Sequence, residues 1–427
     1  MDHDFHTVVV GAGCLGAASA VAIRRRLQQQ GEAGEVLLLD KSLLGAGISA
    51  RHSGIVRAAN ADRGAAMLAD RASAMWRNLM PHWGVDLAVE RPGAVWIARA
   101  GVGGDNPRWA ALQADMEAAG VSFARVSRGD ASALCGPQVY LGDDEVFYHE
   151  PGALQLSPDA VRDALYRAVS VNGVVLREKT AATGFERGAD GRVSAVLIDG
   201  ARLRCRYLIN ACGPWSASVF APLGLQIPVS VEQVAVVNWM SSRADTAGPM
   251  PIIADYTNLA YFRRWRDGEL HMHQPRKRNP RETARAFAEN PLAMMGADFV
   301  NDPANQTLGY SQIRLYEDLV KRRFKNPDPL VYGSGYRSYF DITPDLKFIL
   351  GPDPRVPNLI HCLGAGQSFK YAPVFAEAMA EFVTTPRDTA GLAADFSIGR
   401  LSSAYMASFW ARVDGSAHSL AVEEGGL

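Results

Sequence analysis

Gly11, Gly13 and Gly16 stand in the order Gly-x-Gly-x-x-Gly directly after a short β-branched run at 7–10. Glycines at this spacing have separate mechanical jobs. The first permits a tight turn, the second lets backbone approach a pyrophosphate, and the third lets a helix pack closely on a strand. A helix opening there offers unsatisfied N–H groups and a positive dipole end to phosphate. Residues 35–40 read as a second buried strand closing on an acid, followed by Lys41. Asp40 at that point can accept ribose hydroxyls and disfavours a 2′-phosphate, which argues against NADP. The glycine motif by itself also suits a tight turn in some other α/β protein; strand, turn, helix, strand and acid together give it the context of a dinucleotide site. Gly45, Gly47, Ser49, Ser53 and Gly54 then cluster within 45–57. Small residues there let backbone lie against a long flat ligand, which favours a flavin over a nicotinamide, whose enzymes usually continue directly into further βαβ units.

The elements that would carry these groups are legible in outline. An Ala-rich helix runs from the glycine turn to about 30 and ends in the polar stretch 28–34. Ser157-Pro158 is a helix start, and Val161, Ala164, Leu165 and Ala168 follow on one face. Strands are expected at 174–176, 193–198 and 207–210, the last leading into Gly213 and Trp215. Residues 229–275 resemble a β-meander, 280–325 are helical and charged, and 330–351 return to strands and turns. A buried strand at 358–363 enters a Gly-rich turn and a helix at 373–383. The buried, parallel-looking strands fall in three separated blocks, so the expected fold class is α/β plus α+β. A Rossmann-like FAD-binding domain is assembled from 1–85, 151–228 and 331–401, an antiparallel-sheet substrate domain from 86–150 and 229–330, and 402–427 form a tail.

The chain has 427 residues, 48% hydrophobic and 21% charged, with formal net charge −1. This is globular composition with nothing in bulk charge to recruit nucleic acid or an acidic membrane. Five cysteines without paired metal spacing point to a reducing compartment and to no metal site. The run 8–23 is short for a membrane span and carries three glycines, and the start has no signal-peptide pattern, so a cytoplasmic protein is expected. The basic stretches 263–266 and 276–278 read as a solvated rim around an anionic substrate rather than a nucleic-acid patch. Met294-Met295 reads as core, and Cys14 as a small side chain in the phosphate turn without a redox role.

The opening motif, the segment 45–57 and two later blocks resemble the D-amino acid oxidase superfamily of FAD-dependent oxidoreductases, especially its sarcosine oxidase and dimethylglycine dehydrogenase branch. The later blocks are 207–216, and 343–351 followed by Gly364-Ala-Gly366-Gln367-Ser368-Phe369-Lys370-Tyr371. The matches span 7 to about 401. The resemblance implies hydride transfer from a carbon beside an amine nitrogen to flavin N5, giving an imine that hydrolyses; the cofactor is the electron sink and protein supplies position and electrostatics. It places Arg57 and Lys370 on the substrate carboxylate, and Gly213, Trp215 and 364–370 beside the FAD. Arg337 and Tyr339 fall on a strand crossing the flavin face, where some members present an arginine to substrate; packing or an internal ion pair is the equal alternative for Arg337, and Tyr339 is a wall. His271 stands roughly where oxidases of the group carry an oxygen-activating lysine, with His273 on the same strand face; a base toward the amine and an exposed strand residue are its alternatives.

Two departures accompany the resemblance. Arg337-Ser338-Tyr339 offers no sulfur where monomeric sarcosine oxidases attach the flavin, and the spacing of His52 does not match the flavin-linked histidine of the dehydrogenases, so non-covalent FAD is expected. The missing lysine favours dehydrogenase slightly over oxidase, leaving oxygen or an electron-transfer partner as acceptor. The expected substrate is a small carboxylate-bearing secondary or N-methylated amino acid. A 2-hydroxy acid dehydrogenase and a flavoprotein subunit of a multi-subunit oxidase are the alternatives, and a homo- or hetero-oligomer is compatible with either.

Overall fold

The computed structural model describes residues 3–60, 62–241, 250–264, 270–274, 307–325, 330–364, 366–385, 395–402 and 404. Met294-Met295, 276–278 and nearly all of the expected tail lie outside these residues.

His3–Val10 is the pivot of the first sheet. It pairs in parallel with Val36–Leu39 on one side and Ala201–Asn210 on the other, in the register Val9 to Leu38 and Val9 to Ile209. The order continues outward to Val175–Arg177 beyond the one, and to Val356–Leu363 and Ile349–Asp353 beyond the other. The run Val36-Leu37-Leu38-Leu39 is buried throughout, the pattern of a strand covered on both faces. Helix Cys14–Gln29 covers one face and packs along helix Ala372–Thr384. Alanines at 17, 18, 20 and 22 let it lie close to the sheet and its neighbour. The expected helix starting at Ser157-Pro158 is Pro158–Val171, with Ser157 accepting the Ala160 N–H.

The second sheet runs Leu330–Ile342, Ser230–Ser241, Leu270–Gln274, Ala260–Arg264, Ile252–Asp255, Ala94–Arg99, Glu145–Glu150, Ala124–Val126. Its pairs are antiparallel except Ile252–Asp255 against Ala94–Arg99, which is parallel. Leu330–Ile342 hydrogen-bonds along its length to Ser230–Ser241. The dividing line expected at 331 therefore does not coincide with the division between sheets, because backbone pairing carries this strand into the second one. Of the expected helical stretch 280–325, the described part is helix Tyr310–Arg323, laced by Glu317 with Arg314 and Lys321. Beneath it, buried Arg323 bridges Glu145 and Asp255 and ties the helix to two strands.

The expected solvated basic rim is corrected at Arg263, which is 1% exposed. Its strand is central in the second sheet and buried on both faces through Arg263, so this side chain is enclosed whichever face it takes. Among the described residues no helix is long and apolar enough to cross a membrane, and no cluster could hold a metal ion.

Candidate active site

Two cavities adjoin at Ile48, Ser49 and Arg51. One, of about 330 Å³, is lined by the glycine turn, Asp40, Lys41 and Trp215; the other, of about 160 Å³, by residues from 48–57, 338–341 and 366–370 together with Tyr261.

The glycine turn is closed by contacts that no side chain could share. Gly11 has φ +103°, and a Cβ on it would lie 2.4 Å from the Ala211 carbonyl oxygen; a Cβ on Gly16 would lie 1.8 Å from the Gly11 oxygen. Gly13 caps the helix without a side chain, and the Cys14 N–H donates to Ser49 Oγ at 2.8 Å. Asp40 closes the second strand as expected, its two oxygens accepting the Ala12 and Ser42 N–H groups, each at 2.7 Å. Lys41 Nζ sits 4.5 Å from the centroid of the Trp215 ring. Gly213, with φ +52°, turns the chain beneath this end. Cys14 is enclosed, and burial pushes its thiol up to about 12.

At the other end, the His52 ring stacks on Phe369 with centroids 3.6 Å apart, and His52 Nδ1 accepts the Gly54 N–H at 2.9 Å. Nε2 therefore carries the proton of the neutral ring. Burial, aided by Arg263, pushes this histidine down to about 3. His52 Nε2, Gln367 Oε1, Trp215 Nε1 and Lys370 Nζ are buried polar atoms with no hydrogen-bond partner among the described residues. Such orphans are costly unless a ligand meets them. The glycine cradle at one end and the His52, Gln367 and Trp215 atoms along the cleft fit an extended flavin dinucleotide, which leaves Lys370 Nζ for a second ligand. Ser49, Ser53, Gly366, Gln367, Ser368, Phe369 and Lys370 line the ring-end cavity. Gly54 and Gly364 serve from behind the wall. A Cβ at Gly54 would meet the Leu156 oxygen at 2.0 Å, and one at Gly364 would meet Ser368 Oγ at 2.2 Å.

Arg57 and Lys370 meet in the same cavity although they are remote in sequence, 8% and 4% exposed. Neither is the solvated charge that its local sequence allows. Arg57 Nη1 donates to the Ala59 carbonyl at 2.5 Å, and its guanidinium lies over Trp96 at 5.0 Å and Tyr261 at 5.8 Å. Burial, and then Arg57, drive the Lys370 amine well below its usual range, with Glu150 opposing. Tyr339 is fully buried and walls the cavity.

Arg337 is not brought there. Its Nη2 donates to Gln312 Oε1 at 2.9 Å, so at its place along the strand this residue meets helix Tyr310–Arg323, while Ser338 to Asp341 line the cavity. The backbone of His271 pairs with Asn238 and Arg263, and its side chain, like that of His273, lies outside the described residues.

Glu150 is the residue that sequence reasoning missed. It closes strand Glu145–Glu150, is 1% exposed, and accepts the Ala58 N–H at 2.5 Å, the Ala59 N–H at 3.4 Å and the Trp96 indole N–H at 3.1 Å. Burial raises its proton affinity, while those amides, Arg57 and Lys370 work against protonation. The one local signal was an acid ending an apolar strand, before Pro151.

The sequence profile of the DAO family, described as FAD dependent oxidoreductase, matches residues 6–382. The 4-methylaminobutanoate oxidase (formaldehyde-forming) of Paenarthrobacter nicotinovorans is 26% identical over 384 residues, 88% of this chain and 43% of its own length, so the chain spans less than half of that relative. An L-amino acid deaminase from Proteus myxofaciens, solved with anthranilate, shares the fold at TM-score 0.77 and 16% identity, covering 94% of each chain. L-proline dehydrogenase from P. horikoshii shares it at TM-score 0.75 and 17% identity, over 90% of this chain and 95% of that one. With the glycine cradle, the acid after the second strand and a profile match across most of its length, this chain belongs to the DAO family of FAD-dependent oxidoreductases.

Proposed function

We propose that the chain oxidises a small carboxylate-bearing secondary or N-methylated amine, an amino acid in the broad sense, at the carbon next to nitrogen. The observation that carries this is the convergence of Arg57 and Lys370, both buried, on one cavity beside the ring-end wall. A guanidinium and a lysine amine enclosed together in a low-dielectric pocket are a prepared seat for an acid group. FAD, when bound, supplies the hydride acceptor. Arg57 would hold the carboxylate through its guanidinium fork and Lys370 as a point charge. Fixing the acid group orients the neighbouring C–H, and a displaced reacting carbon would lose most of that advantage. Tyr339, Phe340, Tyr261 and Phe369 form an aromatic wall that excludes water and accepts apolar N-substituents. The name of the Paenarthrobacter relative, an oxidase of a methylamino acid, supports the same class.

Roles divide accordingly, with the cofactor on the first sheet and its loops and the substrate against the second. FAD is proposed to be non-covalent, the acceptor to be an electron-transfer partner rather than oxygen, and the protein to be cytoplasmic. The test is an anaerobic titration of the FAD-loaded protein with N-methyl amino acids, cyclic imino acids, D-amino acids and 2-hydroxy acids, following the bleaching of the flavin band. Bleaching by N-methyl or imino acids is expected; bleaching by 2-hydroxy acids alone would replace the amine reading. Air admitted afterwards reports the acceptor, with slow recolouring expected.

A further inference from the structure

Lys370 Nζ is enclosed and meets no acceptor among the described residues. An ammonium has three N–H bonds to satisfy, and burying one unpaired beside a guanidinium is among the costliest arrangements a site can hold. The nearby acid, Glu150, is already engaged by the amides of Ala58 and Ala59 and the Trp96 indole. The rest of the surroundings adds no free anion that the structure directs at Nζ. The Tyr371 ring lies 5.0 Å from it, with its hydroxyl accepting from Asn60 Nδ2 at 3.3 Å. Asp341 Oδ2 accepts the Gly364 N–H at 3.1 Å, His52 is a neutral ring, and Tyr261 and Tyr339 contribute phenols to the wall.

We propose that the acid-group seat is proton-coupled: Lys370 is an uncharged amine in the free site and takes up one proton from solvent as a carboxylate enters, with Glu150 as the positioning residue. The balance is simple. A carboxylate and a solvent proton enter, the amine becomes an ammonium paired with the carboxylate, and no other bond changes. Glu150 acts in two ways. It holds the 57–59 segment through two amides, and its negative charge raises the proton affinity of the amine so that the entering acid can complete the change. This rests on the reading of Arg57 and Lys370 as the acid-group seat, and it adds the charge state and a residue that touches neither substrate nor cofactor.

The experiment is calorimetric titration of the FAD-loaded enzyme with benzoate, a non-oxidisable carboxylate, in buffers of different ionisation heat, with benzamide as the neutral control. At neutral pH, proton uptake on binding should approach roughly one per benzoate and be absent with benzamide. Lys370→Met should abolish the uptake. Glu150→Gln should move the window of uptake to lower pH by about one unit or more, since a nearby opposite charge is lost. Glu150→Asp, which restores the charge, should move it back; a role in packing alone would weaken benzoate equally at every pH. Benzoate binding without proton uptake in the unaltered enzyme, or an unmoved window in Glu150→Gln, overturns the proposal and leaves the carboxylate seat standing. Failure of any carboxylate to bind overturns both.

Discussion

The Arg57 guanidinium lies over the Trp96 ring at 5.0 Å, and the N–H of that same indole donates to Glu150 Oε2 at 3.1 Å. One side chain thus supports the cation through its π face and the buried acid through its edge. This part of the site is therefore built from two paired strands of the second sheet, and the Arg57 segment is laid across it.

Trp96→Phe separates the two roles. Phenylalanine keeps an aromatic face under Arg57 and an edge toward Trp109 and Phe123, but leaves Glu150 short of one donor. Urea unfolding of the FAD-loaded protein should show a loss of about 1–3 kcal/mol, as for a hydrogen bond to a buried charged group.

Arg57→Met and Lys370→Met should each reduce kcat/KM for a carboxylate-bearing substrate by about 2–5 kcal/mol, because the remaining charges lose a partner. Arg57→Lys should recover little, since an ammonium cannot reproduce the bidentate fork or the donation to Ala59. Steady-state kinetics with the best substrate of the titration panel reads this out. Arg337→Met, whose guanidinium is turned to Gln312, should leave KM within about twofold, corresponding to a surface-type effect of about ±0.5 kcal/mol.

Gly11→Ala places a methyl group 2.4 Å from a backbone oxygen at a backbone angle that L residues avoid. The turn would have to open, and the absorbance ratio of flavin to protein should fall to a small fraction of the unaltered value. Asp40→Ala should weaken FAD by about ten- to a hundredfold through loss of charge-assisted hydrogen bonds, measured by fluorescence titration of the apoprotein.

Acid precipitation tests the attachment of FAD. Ser338 stands on the strand wall without sulfur, and the His52 ring is held flat against Phe369 with Nδ1 accepting from Gly54. The yellow colour should pass to the supernatant. Colour retained in the pellet and released by His52→Ala would assign a covalent bond to that ring.

Stability should decline on acidification from neutrality. Burial lowers the folded-state proton affinity of His52, to about 3, and of His361, whose Nε2–H donates to the Asp353 carboxylate at 2.9 Å. Unfolded histidine titrates at about 6.5, so below that pH the unfolded chain binds the extra protons. The stabilisation is present above about pH 6.5 and is lost progressively as pH falls toward the folded values. Denaturant midpoints at a series of pH values should fall through this window, and His52→Phe should flatten part of the slope.

The dinucleotide end was legible from residues alone because its determinants are local. Strand, glycine turn, helix, strand and acid follow one another within 7–40, and each is set by burial period or backbone sterics. Arg57 and Lys370 could be named only through resemblance, since nothing near either in sequence distinguishes a buried cavity residue from a solvated one. Tertiary structure decided the rest. Ala58 and Glu150, 92 positions apart, are joined only when strand Glu145–Glu150 pairs with Ala94–Arg99 beside the Arg57 segment. Pairing over the length of Ser230–Ser241 drew Leu330–Ile342 into the second sheet; Arg337 and Tyr339 share a face of that strand, but Arg337 lies one step further along it and meets Gln312, while Tyr339 lines the cavity. Spacing along the chain encodes which face a side chain takes, but the partner that face meets depends on which strands close together. Burial belongs to that closure, and with it the lowered proton affinity of Lys370.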